Sequence, residues 1–347
     1  MSQPRISIVI PVFNAGTYIA DCLQSLYAQQ LREDEFEVIL VNDGSSDNSL
    51  VICEAFGRNH TNIHIVSQQN MGVSAARNAG IALAKGDYLC FVDADDELVN
   101  GSLRYLIDNF LVAGTDVVRY WCKITTEGQA IPTSVEGEIN FEGCGFDYIK
   151  RFGLDTFCYV YFYRVAYLQE HDLTFKSYKI GEDFLFVSSV LLSNPHIVST
   201  TCVAYLYLIH PNTASTSRDV ASMRKCVDDH LAVHRELLGI ISSMQLSQNQ
   251  PDVHARCMES INFKTIMIFS RMLSANYTLP EFKGRLSQLR DMGLLPMCPV
   301  GDSLKSRLSR TFVNLLACLP FLYGAASLIY RKLFVPYFLP NIDRNNL

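Results

Sequence analysis

The chain has 347 residues, 49% of them hydrophobic and 18% charged, which is enough for a large buried core plus an appendage. Its net charge of −6 excludes a nucleic-acid binder held by phosphate contacts, although residues 300–347 run against that trend with six basic residues and two acidic ones. Eleven cysteines, an odd number with no Cys-x-x-Cys pair, read as buried thiols of a reducing compartment and not as a disulfide or zinc framework.

Taken in chain order, Ile6 to Val12 is a first strand, and its apolar run is too short for a signal peptide. A cytoplasmic start is therefore expected. Thr17 to Ala28 places Ile19, Cys22, Leu23, Leu26 and Tyr27 at helical spacing. Phe36 to Val41 is a second strand. A helix follows from about Asn48 to Arg58, with Ser46 or Asp47 as its expected N-cap. Ile63 to Val66 is a third strand, Val73 to Ala84 an alanine-rich helix, and Tyr88 to Val92 a fourth strand. Short alternating strands and helices give an open, mostly parallel α/β sheet with helices on both faces.

Asp116 to Lys123 reads as a strand, and residues 124–140 as a hairpin or lid. Phe157 to Tyr163 is aromatic and strand-like. Gly181-Glu182-Asp183 opens an apolar helix to Leu192, and Val198 to Ile209 is a strand that runs into His210. From Val220 to Met292 the pattern is helical. Thr311 to Tyr330 then holds twenty residues without a formal charge, flanked by Arg307 and Arg310 and by Arg331 and Lys332. Three readings fit this tail: a helix in the membrane interface, a spanning helix, or a core helix pair broken at Pro320.

Chemistry concentrates at strand ends. Val92-Asp93-Ala94-Asp95-Asp96 places three carboxylates within four positions after a buried strand. Such acids repel unless a cation neutralises them, and Asp-x-Asp suits a divalent ion shared with a diphosphate. Turn formation and helix capping are the ordinary roles for these residue types. Two further polar loops, Asn14 to Gly16 and Asp43 to Asn48, leave the sheet at the same carboxyl edge, where ligands of such sheets bind. No Gly-x-Gly-x-x-Gly follows the first strand, which argues against a dinucleotide-dependent dehydrogenase.

Val9-Ile-Pro-Val-Phe-Asn14, Val41-Asn-Asp-Gly-Ser-Ser-Asp47, Asn70-Met-Gly-Val-Ser-Ala-Ala-Arg-Asn-Ala-Gly80 and Phe91-Val-Asp-Ala-Asp-Asp96 together resemble family 2 glycosyltransferases of the GT-A fold. The likeness is specific over residues 6–100, looser to about 218, and absent beyond. It implies a GT-A, Rossmann-like, mostly parallel sheet flanked by helices, to which the helical pattern from Val220 adds a C-terminal helical extension. It also implies inverting transfer of a sugar from a nucleotide diphosphate donor, with Mn2+ or Mg2+. On this resemblance Pro11, Val12 and Asn14 wall the nucleobase, and Asp43 contacts base or ribose instead of only shaping a turn. Asn70 and Gly72 approach the donor. Arg77 offers the diphosphate a fork, or else pairs with the acidic loop. Asp95 is the expected metal ligand, and Asp93 reaches the ribose, or the metal through water, with Ala94 between them. His210 is a further candidate ligand. Asp183 is the first choice of general base and Glu182 the second, although two acids also suit a helix start.

The expected divisions are a catalytic domain over 1–218, a helical extension over 219–300 and a membrane-associating tail over 301–347. Members of that family that polymerise processively carry a Gln-x-x-Arg-Trp motif, and its absence here, with the single tryptophan Trp121 followed by Cys122, favours transfer of one sugar. The leading expectation is transfer from a UDP-sugar to a glycan or lipid-linked acceptor in cell-surface polysaccharide synthesis, with the basic apolar tail as its motive beyond the catalytic loops. The chain would then sit peripherally on the cytoplasmic face of a membrane, held through its tail. A polyprenyl-phosphate sugar synthase and a non-catalytic nucleotide-binding module are the alternatives.

Overall fold

The computed structural model describes residues 3–125, 135–210, 219–298 and 304–330. Most of the expected hairpin at 124–140, the loop after His210 and the last seventeen residues therefore lie outside the described residues. The described residues up to 148 and from 155 to 210 form one compact unit, and those at 149–154 and from 219 onward form a second.

The first unit begins with β1 (Ile6–Val12), α1 (Ile19–Tyr27), β2 (Phe36–Asp43), α2 (Ser49–Gly57), β3 (Ile63–Gln68), α3 (Val73–Leu83) and β4 (Tyr88–Phe91). Then come β5 (Glu97–Leu98), α4 (Ser102–Phe110), β6 (Val117–Thr125), β7 (Ile139–Cys144), α5 (Gly145–Phe152), whose residues from 149 on belong to the second unit, β8 (Tyr161–Arg164), α6 (Val165–Glu170), α7 (Glu182–Leu192) and β9 (His196–Leu208). The sheet order is β3-β2-β1-β4-β8-β6-β9-β5, with β7 also on β9. β3, β2, β1 and β4 are parallel, as the alternation of short strands and helices predicts, and every residue of β2 is buried. The other half is mixed: β8 is antiparallel to both β4 and β6, while β6 and β9 are parallel.

Two local expectations differ from the structure. Asn48, not Ser46 or Asp47, occupies the N-cap of α2, and Asp47 instead accepts from the Ser49 N–H and from the Gly16 N–H across the loop. Residues 158–160 form a 3-10 turn before β8, so the aromatic stretch is only partly strand. Helix α3 lies close on β1 because Gly80 leaves room there: a Cβ at Gly80 would stand 2.1 Å from Val9 Cγ1.

The second unit contains α8 (Val220–Ser243), α9 (Leu246–Asn249), α10 (Pro251–Ser274), α11 (Leu279–Asp291), α12 (Leu304–Cys318) and α13 (Tyr323–Ile329). A full capping box, Thr278 with Glu281, starts α11. Helices α12 and α13 pack against α10 and α11 through buried Val313, Leu316, Ala317 and Tyr323. No single described helix is long and apolar enough to cross a membrane, and α12 and α13 are bent by 107° at Pro320. The core-pair reading thus describes the inner face of the tail.

Candidate functional site

Parallel pairing of β3, β2, β1 and β4 brings their carboxyl ends to one edge, so the loops after β1, β2 and β4 converge there. Pro11 and Val12 end β1. Asn14 follows with φ +50, a left-handed conformation that asparagine tolerates. Its Oδ1 accepts from the Ser46 N–H at 2.8 Å, and its own N–H donates to Ser45 Oγ at 3.1 Å. The β1 loop is thereby tied to the β2 loop.

Asp43, at the end of β2, is buried and already engaged. Oδ1 accepts from Gln68 Nε2 at 2.8 Å and from the Met71 N–H at 2.9 Å, while Oδ2 accepts from the Gly72 N–H at 2.9 Å. It caps the entry to α3 from a neighbouring strand, satisfying donors that a helix start leaves open. Three of roughly four acceptor positions on a carboxylate are used, which leaves capacity for one ligand donor. Asn70 and Gly72 are exposed above it. Gly72 has φ +89 and open space where a Cβ would stand, so a ligand can approach its backbone.

Arg77, on the buried face of α3, is the hub of the site. Its Nη1 donates to Asp183 Oδ1 at 2.6 Å and to Glu182 Oε1 at 3.2 Å, and its Nη2 donates to Asp93 Oδ1 at 2.9 Å. The guanidinium lies over the Phe175 ring, 5.2 Å from its centroid. Burial opposes its charge, yet Asp183, Asp93 and Glu182 hold it firmly protonated. Of the two roles open in the sequence, the structure therefore shows the ion pair and extends it to the acids of α7. The expected diphosphate fork is occupied by carboxylates.

Those acids keep a narrow exposure, 12% for the Glu182 side chain and 17% for Asp183. Cys158 lies beside Asp183 and works against the rise in its pKa. Burial raises the pKa of Asp183, with Asp93 adding to the effect and Arg77 opposing it. Burial and then Asp183 raise that of Glu182.

In the acidic loop the three aspartates separate in role. Asp93 faces Arg77. Asp96 is buried, accepts from the Tyr205 hydroxyl at 2.7 Å and from the Leu208 N–H at 2.8 Å, and is pushed up to about 8 by burial and Asp93. Tyr205 in turn accepts from the Asp93 N–H at 3.1 Å. Burial and Asp93 raise Asp95. Ala94 is buried between them. His210 donates its Nε2 proton to the Asp95 carbonyl at 2.8 Å and stacks on Tyr18. It thus fixes the loop backbone and does not join Asp95 and Asp93 in a cage. Among the described residues no group of three or more His, Cys, Asp or Glu side chains is arranged to hold a metal. Asp95 still fits an ion shared with a diphosphate, because such ions often take one or two carboxylates and complete their shell with phosphate oxygens.

Tyr205, Cys158 and Phe175 were not singled out by sequence reasoning. Tyr205 and Cys158 sit beside the acids and Phe175 lies against Arg77, and none carries a local motif.

Residues 7–165 match the family model described as Glycosyl transferase family 2. This region is a family 2 glycosyltransferase domain. Glu182 and Asp183 lie beyond the matched span. An uncharacterized glycosyltransferase of Escherichia coli K12, YibD, is 38% identical over 137 residues, covering 38% of this chain and 39% of the relative. The poly(ribitol-phosphate) beta-glucosyltransferase of Bacillus spizizenii is 29% identical over 208 residues, covering 59% of this chain and 32% of the relative. The chain thus spans less than half the length of these curated relatives. The crystal structure of S. aureus TarS 1–349 in complex with UDP-GlcNAc is similar with a TM-score of 0.65 at 23% identity, over 94% of this chain and 92% of that one. The family 2 domain therefore has the GT-A fold.

Proposed function

We propose that the protein is an inverting, divalent-metal-dependent glycosyltransferase. It moves one sugar from a UDP-sugar to a hydroxyl of a glycan or lipid-linked acceptor in cell-surface polysaccharide synthesis. The observation that carries this reading is the Arg77 hub. One guanidinium joins Asp93, on the acidic loop where a donor diphosphate would lie, to Glu182 and Asp183, which carry the raised pKa values suited to a base.

In the proposed reaction the acceptor oxygen attacks the anomeric carbon and loses its proton to Asp183. The bond from that carbon to the diphosphate breaks, and the nucleotide diphosphate leaves with the electron pair. A bound Mn2+ or Mg2+ would supply charge stabilisation to the departing diphosphate. Asp95 would hold the ion, Asp43 would accept from the nucleobase or ribose, and the Gly72 backbone would border the donor. All eleven cysteines are free thiols, which suits work in a reducing compartment on the cytoplasmic face of a membrane.

One feature favours a second reading, a polyprenyl-phosphate sugar synthase: Asp183 is ion-paired, and a phosphate acceptor needs no strong base. Incubation with a panel of UDP-sugars, Mn2+ and hydroxyl or phosphate acceptors, with UDP release followed, tests the proposal. Release stimulated by hydroxyl acceptors supports it. Stimulation only by phosphate acceptors selects the second reading, and no stimulated release with any donor rejects both.

A further inference from the structure

The acidic loop is pinned on both sides of Asp95, largely by groups from the end of β9. The Asp93 N–H donates to the Tyr205 hydroxyl at 3.1 Å, and that hydroxyl donates to Asp96 Oδ2 at 2.7 Å. One oxygen thus holds the turn from both ends. The Asp96 N–H closes it by donating to the Asp93 carbonyl at 3.1 Å. Asp96 Oδ1 accepts from the Leu208 N–H at 2.8 Å, and the Asp95 carbonyl accepts from His210 Nε2 at 2.8 Å. Beyond the turn β5 pairs with β9, with Leu98 opposite Tyr205. Tyr205 is itself held in place. It is fully buried, and its ring stacks on Tyr159 with centroids 4.4 Å apart and planes inclined by 18°. These bonds fix the backbone that carries Asp95 and engage the carboxylate of Asp96.

We propose that Tyr205 is a positioning residue for the metal ligand Asp95. Its hydroxyl holds the Asp93–Asp96 turn in one shape, so the turn need not be ordered when a divalent ion and the nucleotide diphosphate arrive. A site built on one or two carboxylates and phosphate oxygens has few protein contacts to direct it. The direction of the Asp95 carboxylate therefore weighs heavily. Loss of a partner that orients a metal ligand typically lowers metal affinity by about 10- to 100-fold. Phenylalanine cannot replace this tyrosine. It keeps the ring and its stack on Tyr159, but the Asp93 N–H loses its acceptor and Asp96 Oδ2 loses a donor. Both groups must then find other partners, and the turn reorients with Asp95 on it. This inference rests on the metal-dependent reading proposed above and deepens it, naming a residue that acts through the ligand and not on the ion.

The test is calorimetry of UDP at rising Mn2+ with the full chain, wild type against Tyr205→Phe. The variant should need about tenfold more Mn2+, or beyond, for half-maximal enhancement of UDP affinity. Its metal-free UDP affinity should match that of wild type. An unchanged Mn2+ requirement would overturn the proposal whatever the melting temperature does, because a tyrosine that only fills the core gives that result. A second measurement uses wild type alone and does not depend on how the variant folds. Hydrogen exchange at the Asp93 amide should already be slow without metal and should stay slow when Mg2+ and UDP are added. Exchange as fast as in an open loop, slowed only by adding both, would show that the ligand orders the turn, and would also overturn the proposal. Failure of the underlying reading looks different. Wild-type UDP affinity that responds to neither Mn2+ nor Mg2+ rejects the metal-dependent reading, and the role of Tyr205 with it. Metal-dependent binding by wild type that Tyr205→Phe leaves intact rejects the role of Tyr205 alone.

Discussion

Arg77 holds three carboxylates while only 4% of its side chain is exposed. Removing it leaves Asp93, Glu182 and Asp183 without their common counter-charge. Arg77→Gln should therefore destabilise the protein by about 3–5 kcal/mol, and Arg77→Lys by less, as measured by urea unfolding. A loss below about 1 kcal/mol for the glutamine variant would show that the cluster is solvated. Asp183→Asn is a milder change at the same hub. It should fold and bind UDP as wild type does but lose ~100- to 10,000-fold in transfer to a hydroxyl acceptor. The pH dependence has a definite sign. A base works ionised, and burial with Asp93 holds Asp183 above the usual carboxylate range. Activity should thus fall as pH drops through that raised value, and a limb at an ordinary aspartate position, about pH 4, would contradict the assignment. Asp95→Ala should remove the Mn2+-dependent part of UDP affinity, and equal calorimetric affinity in variant and wild type, with and without Mn2+, would sink the metal proposal. The acids themselves were legible in the sequence because each follows a strand or opens a helix. The pairing of Arg77 with the acidic loop was legible as one of its two roles, but its reach to Glu182 and Asp183 was not. Arg77 lies 16 residues from Asp93 and 106 from Asp183, and only the fold brings a guanidinium to both.

At the scale of elements, the parallel strands were readable because short strands alternate with helices, as a parallel sheet requires. The mixed half of the sheet was not, since β8 emerges from a 3-10 turn and β5 has two residues. Packing of α3 on β1 gives a sharp test. Gly80→Ala drives a methyl into Val9 and should cost about 1–3 kcal/mol by thermal unfolding, as overpacking does. Exposed Gly284 on α11 meets nothing within 4 Å where a Cβ would stand. Gly284→Ala should be neutral or stabilising, which controls for helix propensity.

For the whole molecule, the unit boundary at 210 and the return of residues 149–154 to the second unit follow from contacts between distant segments, which composition does not encode. The tail shows the same limit: its charge-free length is plain in the sequence, its burial is not. Val313, Leu316 and Tyr323 complete the core of the helical unit. A chain ending at residue 303 should therefore lose at least about 4 kcal/mol, because each such side chain contributes roughly 1.5–3 kcal/mol by burial. Unchanged denaturation in lipid-free buffer would show that α12 and α13 are dispensable to the fold.

The shared guanidinium of Arg77 also limits how the sequence can vary. Asp93, Glu182 and Asp183 draw on one cation, so the effect of changing any one depends on whether the others are still charged. Double-mutant cycles among these positions should show non-additivity of about 0.5–3 kcal/mol, with Asp93→Asn relieving part of the penalty of Arg77→Gln. Loss of the cation is therefore tolerated best when an acid is lost with it, and the two substitutions are expected to occur together in descendants of this chain.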